Sequence, residues 1–290
     1  MAKTTEKTTT KKHSHFREVV QRMSYSKINI VCFIIVMIYF LVAIFAPVIA
    51  PYGYEEMIAR SLQPPSAEHW FGTDDLGRDY FSRVIYGTRY SVFMGFAAQI
   101  FSLVLGGIFG AIAGYYGGKI DEIFMRICDV FQSIPGTLLN MALCVAFGTG
   151  FFNTIVALGI GGVAGSARMM RVSFLKLRKA EFIDAARAID CSDPKIIMKH
   201  MLPNAFAPVL VSTTMGIGGT IMSAAGLSFL GLGVQAPTPE WGALLSGGRN
   251  FIRKAPWICI FPGLFILILV LSLNLLGDGL RDALDPRLKK

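Results

Sequence analysis

The sequence predicts an all-α membrane protein with six transmembrane helices and both termini cytoplasmic. Three observations lead there. Of 290 residues, 53% are hydrophobic and 16% are charged, with a mean hydropathy of +0.53; an ordinary soluble domain carries roughly 25% charged residues. The apolar residues are gathered into six runs, each near the ~20 residues that cross ~30 Å of hydrocarbon. The net charge of +9 is unevenly divided among the segments that join those runs. Disorder of the bulk is excluded, because disordered chains are poor in apolar residues.

Residues 1–27 form a polar, basic tail, and 1–12, rich in Thr and Lys, are expected to be disordered. Phe16, Val19, Val20 and Met23 follow helical spacing, which predicts a short amphipathic helix at the membrane surface. The first span is expected over 28–50; it is longer than the ~7–15 apolar residues of a signal-peptide core, so a cleavable signal is not expected. The extracytoplasmic segment 51–89 contains Pro51, Pro64 and Pro65, which argue against a continuous helix at its start. Thr73 and Asp74 are then candidate N-caps for a stripe of Leu76, Tyr80, Phe81, Val84 and Ile85. Five further spans are expected at 90–114, 131–149, 153–168, 206–232 and 256–277, making 90–277 the core domain, with a tail at 278–290. Gly106, Gly110 and Gly114 recur every four residues, as do Gly161 and Gly165, a spacing that lets helices approach closely in lipid.

Lys and Arg set the orientation. With the N-terminus inside, 21 of the 28 lie on the cytoplasmic side and 7 outside, which satisfies the positive-inside rule and requires an even number of spans. The basic residues sit in the tails and in the inner segment Arg168 to Lys199, so they read as topology charges and no nucleic-acid partner is expected.

Several chemistries lack their residues. None of the spans carries Asp, Glu, Lys or Arg near its middle, where proton-coupled carriers place them. The four histidines (His13, His15, His69, His200) lie outside the spans. Cys32, Cys128, Cys144, Cys191 and Cys259 form no C-x-x-C pair, and no H-E-x-x-H or phosphate-binding loop occurs. No catalytic residue, metal or cofactor is therefore expected in this chain, and the energy for any transport must come from a partner. The outer cluster Arg78, Asp79 and Arg83, the best place for a membrane-embedded enzyme, reads instead as an interfacial anchor.

The inner loop 174–205 is too long for a tight turn. Phe182, Ala185, Ala186 and Ile189 recur at helical spacing and predict an amphipathic helix over 178–189, with both alanines on its exposed face. Asp193 and Pro194 read as an N-cap and first helical residue of a second short helix that runs to about Met201 and is stopped by Pro203. Two short helices at an angle make a rigid knob that could sit in a groove of another protein or rest on lipid headgroups.

This loop resembles the EAA loop of ABC-importer permeases. That pattern reads E-A-A, three residues, G, nine residues, I, one residue, L-P. Here it reads Asp184-Ala185-Ala186, three residues, Asp190, nine residues, His200, one residue, Leu202-Pro203, so that Asp184, Asp190 and His200 depart from it. Three further stretches resemble the C-type subunit of the dipeptide/oligopeptide/nickel branch: FGTDDLGRDYFSRVIYGTRYS at 71–91, LSFLGLGVQAPTPEWGALL at 227–245, and GDGLRDALDPRL at 277–288. The resemblance covers residues 28–288 and implies a type I ABC-importer permease fold in the plasma membrane. It implies partners: a homologous second permease, two cytoplasmic ATPases that bind ATP and Mg, and an extracytoplasmic binding protein that selects the cargo. Dipeptides or oligopeptides are the implied cargo, with nickel chelates or another small solute as the alternative. The EAA loop is implied to dock the ATPase, and Asp190, where the family has Gly, implies either a turn strained by about 1 kcal/mol in the left-handed conformation or a different end to the first helix.

Overall fold

The computed structural model describes residues 23–284, most of which are helical. The expected surface helix at Phe16, Val19 and Val20 lies outside the described residues, as does the end of the C-terminal tail, 285–290. In order, the helices are α1 (Lys27–Ile49), α2 (Tyr80–Tyr116), α3 (Gly118–Ser133), α4 (Gly136–Phe147), α5 (Phe151–Leu177), α6 (Glu181–Ala188), α7 (Leu202–Phe229), α8 (Trp241–Gly248) and α9 (Trp257–Leu284). Five of these are long and apolar enough to cross a membrane, and the bent pair α3–α4 makes a sixth crossing if taken as one.

That pair corrects the span expected over 131–149. The chain turns by 92° between α3 and α4. Pro135 is responsible: the residue before a proline is pushed out of the helical region, and Ile134 is extended at φ −90°, ψ 129°. α3 is also helical over most of the expected 115–130 loop and carries Asp121 and Asp129, which pair with Arg171 and Arg168 of α5. The fourth span is longer than expected, because α5 continues past those arginines to Leu177.

α2 packs most extensively on α5. At 37 residues it is about 55 Å long, so it starts ten residues before the expected span at 90. Asp79, and neither Thr73 nor Asp74, caps it: its side chain accepts the Ser82 amide at 2.8 Å. The glycine stripe is the seam. A Cβ on Gly110 would lie 2.2 Å from the Ala167 carbonyl oxygen, and one on Gly114 2.6 Å from the Phe174 Cβ. Such backbone proximity is how helices bind each other in lipid, where the hydrophobic effect offers little between helices.

At the end of the molecule where α2 begins, segment 51–79 folds without a helix over a buried polar nest. Asp74 accepts the Arg78 Nε at 2.6 Å and the Arg78 and Leu76 amides, and it lies 3.5 Å from an Arg83 guanidinium nitrogen. Asp79 faces His69 Nδ1 at 2.9 Å. The anchoring role expected of Arg78, Asp79 and Arg83 is thus a buried network, while Leu76 is exposed and precedes the helix. The loop expected over 233–255 contains α8, capped by Glu240, whose carboxylate accepts the Ala243 amide and the Ser91 hydroxyl. Tyr80 and Trp241 tie this end together by donating to the Ile258 and Val84 carbonyls.

Candidate coupling site

The opposite end carries the α5–α7 connection. α6 begins with Glu181 and Asp184 in its first turn and has Arg187 in its last, each charge opposed to the nearer end of the helix dipole. Its amphipathicity is real, but the buried face differs from the expected one. Ile183 and Ala186 are fully or nearly fully buried, in a cluster with Tyr115, Phe174, Ile196 and Met201. Ala186 is therefore an inward packing residue. The expectation that both alanines are exposed holds for Ala185 alone. Phe182, Ala185 and Ile189 point outward along one line of the helix, with Phe182 43% and Ile189 77% exposed. Asp184 is also exposed, and its contact with Arg187 at 3.4 Å is a surface pair of small energetic weight.

α6 ends in a complete Schellman motif. The Cys191 amide donates to the Ala186 carbonyl at 3.1 Å and the Asp190 amide to the Arg187 carbonyl at 2.9 Å. This geometry requires a left-handed residue between them, and Asp190 has φ +56°. The substitution of Asp for the family's Gly thus leaves the turn intact and adds strain to it.

The second half of the knob starts at Asp193, one residue before the expected first position, with Ser192 as its cap. Asp193 is not the cap. Its carboxylate accepts the Tyr115 hydroxyl at 2.6 Å, and the Arg187 guanidinium sits 5.9 Å from the centre of the same Tyr115 ring. Tyr115 lies in the last turn of α2, so one buried aromatic side chain ties both halves of the knob to the longest helix. Periodicity offered no signal for this contact, because Tyr115 lies 78 residues from Asp193 in sequence.

Pro203 does not stop the second helix. Residues 196–201 form a π-helical turn that runs directly into α7, with the Leu202 amide donating to the Ile197 carbonyl. A wider turn accommodates a proline that lacks an amide hydrogen and crowds the preceding turn. Leu202 packs against the buried cluster, while Pro203 is exposed at the start of α7. His200, in the π turn, has its carbonyl bound by the Asn204 carboxamide at 2.6 Å. Of the expected residues, Phe182, Asp184, Ala185 and Ile189 thus share the outer surface of α6. Ala186 and Leu202 serve the core beneath it, and Asp190 forms the corner.

Comparison with known proteins follows the same outline. Residues 106–290 match the family described as the binding-protein-dependent transport system inner membrane component, and residues 14–65 match the N-terminal transmembrane domain of oligopeptide transport permease C. The chain is 46% identical over 277 residues to the dipeptide transport system permease protein DppC of Alkalihalophilus pseudofirmus, covering 95% of this chain and 91% of that one. It is 40% identical over 286 residues to the oligopeptide permease OppC of Bacillus subtilis, covering 98% and 94%. Against the glutathione permease GsiD of Escherichia coli O157:H7 it is 44% identical over 270 residues, covering 92% and 88%. An inward-facing structure of the MetNI methionine ABC transporter shares the fold at a TM-score of 0.58, with 21% identity, over 71% of this chain and 98% of that one. With its family pattern spanning most of the core and such relatives spanning nearly the whole chain, this protein belongs to the binding-protein-dependent inner membrane permeases, among the dipeptide and oligopeptide transport components.

Proposed function

We propose that this chain is one of two permease subunits in an ATP-driven importer of dipeptides or oligopeptides. The observation that carries the reading is the knob: a stiff helical corner, rooted in α2, α5 and α7, whose outer surface of Phe182, Ala185 and Ile189 is apolar and unfilled by this chain. Small Ala185 between two large side chains lets a groove approach the helix closely. Asp184 adds a charge for a basic partner residue at its rim. The partner is a cytoplasmic ATPase, which holds ATP and Mg; this chain holds neither and catalyses no reaction. Both termini and the knob are cytoplasmic, 51–89 is extracytoplasmic, and 90–277 forms the core that lines the path with a homologous second permease.

The mechanism follows from stiffness. Closure of two ATPases around nucleotide moves α6, and a floppy loop would absorb that motion. Here the Schellman corner fixes the angle between the two halves of the knob, Tyr115 passes displacement to α2, and the uninterrupted run through the π turn passes it to α7. The names of the relatives support a peptide cargo, and the family description supports its delivery by a binding protein.

The test is reconstitution of the full complex (both permeases, both ATPases and the binding protein) in proteoliposomes, with ATP-dependent uptake of a labelled dipeptide as the readout. Uptake is expected with the unaltered chain and its loss with Ala185→Trp. Transport of another solute with no uptake of any peptide would replace the cargo, and full uptake by Ala185→Trp would remove the docking surface.

A further inference from the structure

The buried charges at the α8 end do not balance. Arg78 and Arg83 are both buried, and both lean on one buried carboxylate, that of Asp74. Asp79 is committed to His69 and to the Ser82 amide and hydroxyl. Two guanidinium cations thus share one anion out of water, where an uncompensated charge is costly. Nor are the donors spent. Arg83 turns a single terminal nitrogen, Nη1, to both Asp74 and the Tyr54 carbonyl. Its Nε is buried and has no partner among the described residues. The edge formed by Nε and the other terminal nitrogen is the fork that takes a carboxylate side-on through two parallel bonds, and among the described residues nothing occupies it.

Both arginines line a cavity of about 510 Å³ between segment 51–79, the first turn of α2, α8 and the start of α9. That volume lies within the ~300–1,000 Å³ of small-molecule sites. The cavity is graded in charge. Asp74, Arg78 and Arg83 form its buried part, with the positive charge in excess, while Glu55 and Asp75 also line it and are exposed. A ligand carrying only an anion is repelled by the two outer carboxylates, and one carrying only a cation is repelled by the arginines. A ligand with both charges answers both. The rest of the wall is largely apolar, with Met57, Leu244 and Ile258, and it selects no particular polar side chain. The α8 side leaves room: Gly247 lines the cavity and is exposed, and a Cβ there would meet nothing within 4 Å.

We propose that this cavity is an entry site for the zwitterionic ends of the cargo, taking the terminal carboxylate of a short peptide on the Arg83 fork and its terminal ammonium at Glu55 and Asp75. The site deepens the importer reading above and rests on it, since that reading makes 51–89 the extracytoplasmic segment. Every unmodified dipeptide carries both charges, roughly 7 Å apart when extended, whatever its side chains. The bound carboxylate supplies the second anion that the two guanidiniums lack. A peptide amide leaves the fork unanswered, and an N-acetylated peptide leaves the outer carboxylates unanswered.

The test uses the assembled complex of both permeases and both ATPases in nanodiscs, without the binding protein, whose own selectivity would otherwise enter. Gly247→Cys places a thiol at the cavity, and its modification by a membrane-impermeant maleimide is timed, with the unaltered chain as background. Dialanine is expected to slow the modification. Dialanine amide and N-acetyl-dialanine are each expected to need about tenfold higher concentration or more for the same protection, since each gives up hydrogen bonds to a charged group. Adding Arg83→Lys removes the fork and keeps the charge, so the preference for dialanine over its amide is expected to shrink. Adding Glu55→Gln, at an exposed position outside the buried pairs, is expected to shrink the preference over the acetylated form. No protection by dialanine, or equal protection by the capped peptides, would overturn the site, as would both preferences surviving both substitutions. Uptake of dialanine in proteoliposomes, with the binding protein added, is measured alongside. Uptake without protection fells the site alone. Protection with no uptake of any peptide fells the importer reading and leaves a zwitterion site standing.

Discussion

At the end of the molecule that carries α8, the side chains of His69, Asp74, Arg78, Asp79 and Arg83 are all buried. At the knob end the buried side chains are apolar and the charged ones, Asp184, Arg187 and Asp190, are exposed. The first arrangement is satisfied mainly from within, with the Arg83 Nε its one group left buried without a partner among the described residues. Asp74 and Asp79 spend their oxygens on neighbours within the same segment and need nothing from outside. The second is open. Its core is complete, yet Phe182, Ile189, Met198 and Phe206 remain exposed around it. Directional bonds lock one end in place, and the other keeps apolar surface for a neighbour.

Charge removal tests that contrast most strongly. Asp74→Ala would leave Arg78 and Arg83 without their carboxylate in a buried site, at about 3–5 kcal/mol. Asp184→Ala is expected to cost less than about 1 kcal/mol. Thermal unfolding in detergent compares the two, and equal midpoints would break the distinction. A pair of bulky substitutions sharpens it. Ala186→Trp forces a large ring into the cluster beneath α6 and is expected to destabilise by about 1–3 kcal/mol or more. Ala185→Trp should leave the unfolding midpoint in place and abolish ATP-coupled uptake.

Smaller effects probe the tether and the corner. Tyr115→Phe removes the hydrogen bond to Asp193 and should cost about 1.5 kcal/mol. Faster hydrogen exchange is expected in residues 193–201, with no change at the α8 end. Exchange that rises equally at both ends would show that the tether is not local. The smallest change runs the other way: Asp190→Gly relieves a left-handed residue and is expected to raise stability by about 1 kcal/mol. A lowered unfolding midpoint would mean that the Asp190 side chain contributes more than its backbone strain takes away.

Much of the fold was legible because hydrocarbon imposes a simple rule on composition. The long apolar runs correspond to α1, α2, α5, α7 and α9, and the glycine stripe at 106, 110 and 114 corresponds to the α2–α5 seam. The bend at Pro135 was less legible. A run averaged over twenty residues hides one proline, and the polar side of α3 reads as loop when its ion pairs to α5 are not known. Pro203 misled in the opposite direction, since a proline stops a regular helix but a π turn admits one.

By itself the sequence determined that this chain lives in a bilayer, that its spans carry no central charge, and that the knob lies within 174–205. The family resemblance left two options at position 190, a strained turn or a different helix end, and the structure chose the first, with Asp190 at φ +56°. Only the tertiary structure decided which side of α6 is offered to a partner. Phe182, Ala185 and Ile189 make one apolar line and Ile183 and Ala186 make another, and periodicity alone cannot rank them. The choice was made by Tyr115, Phe174, Ile196 and Met201, distant in sequence, which converge on Ile183 and Ala186 and leave the other line outside.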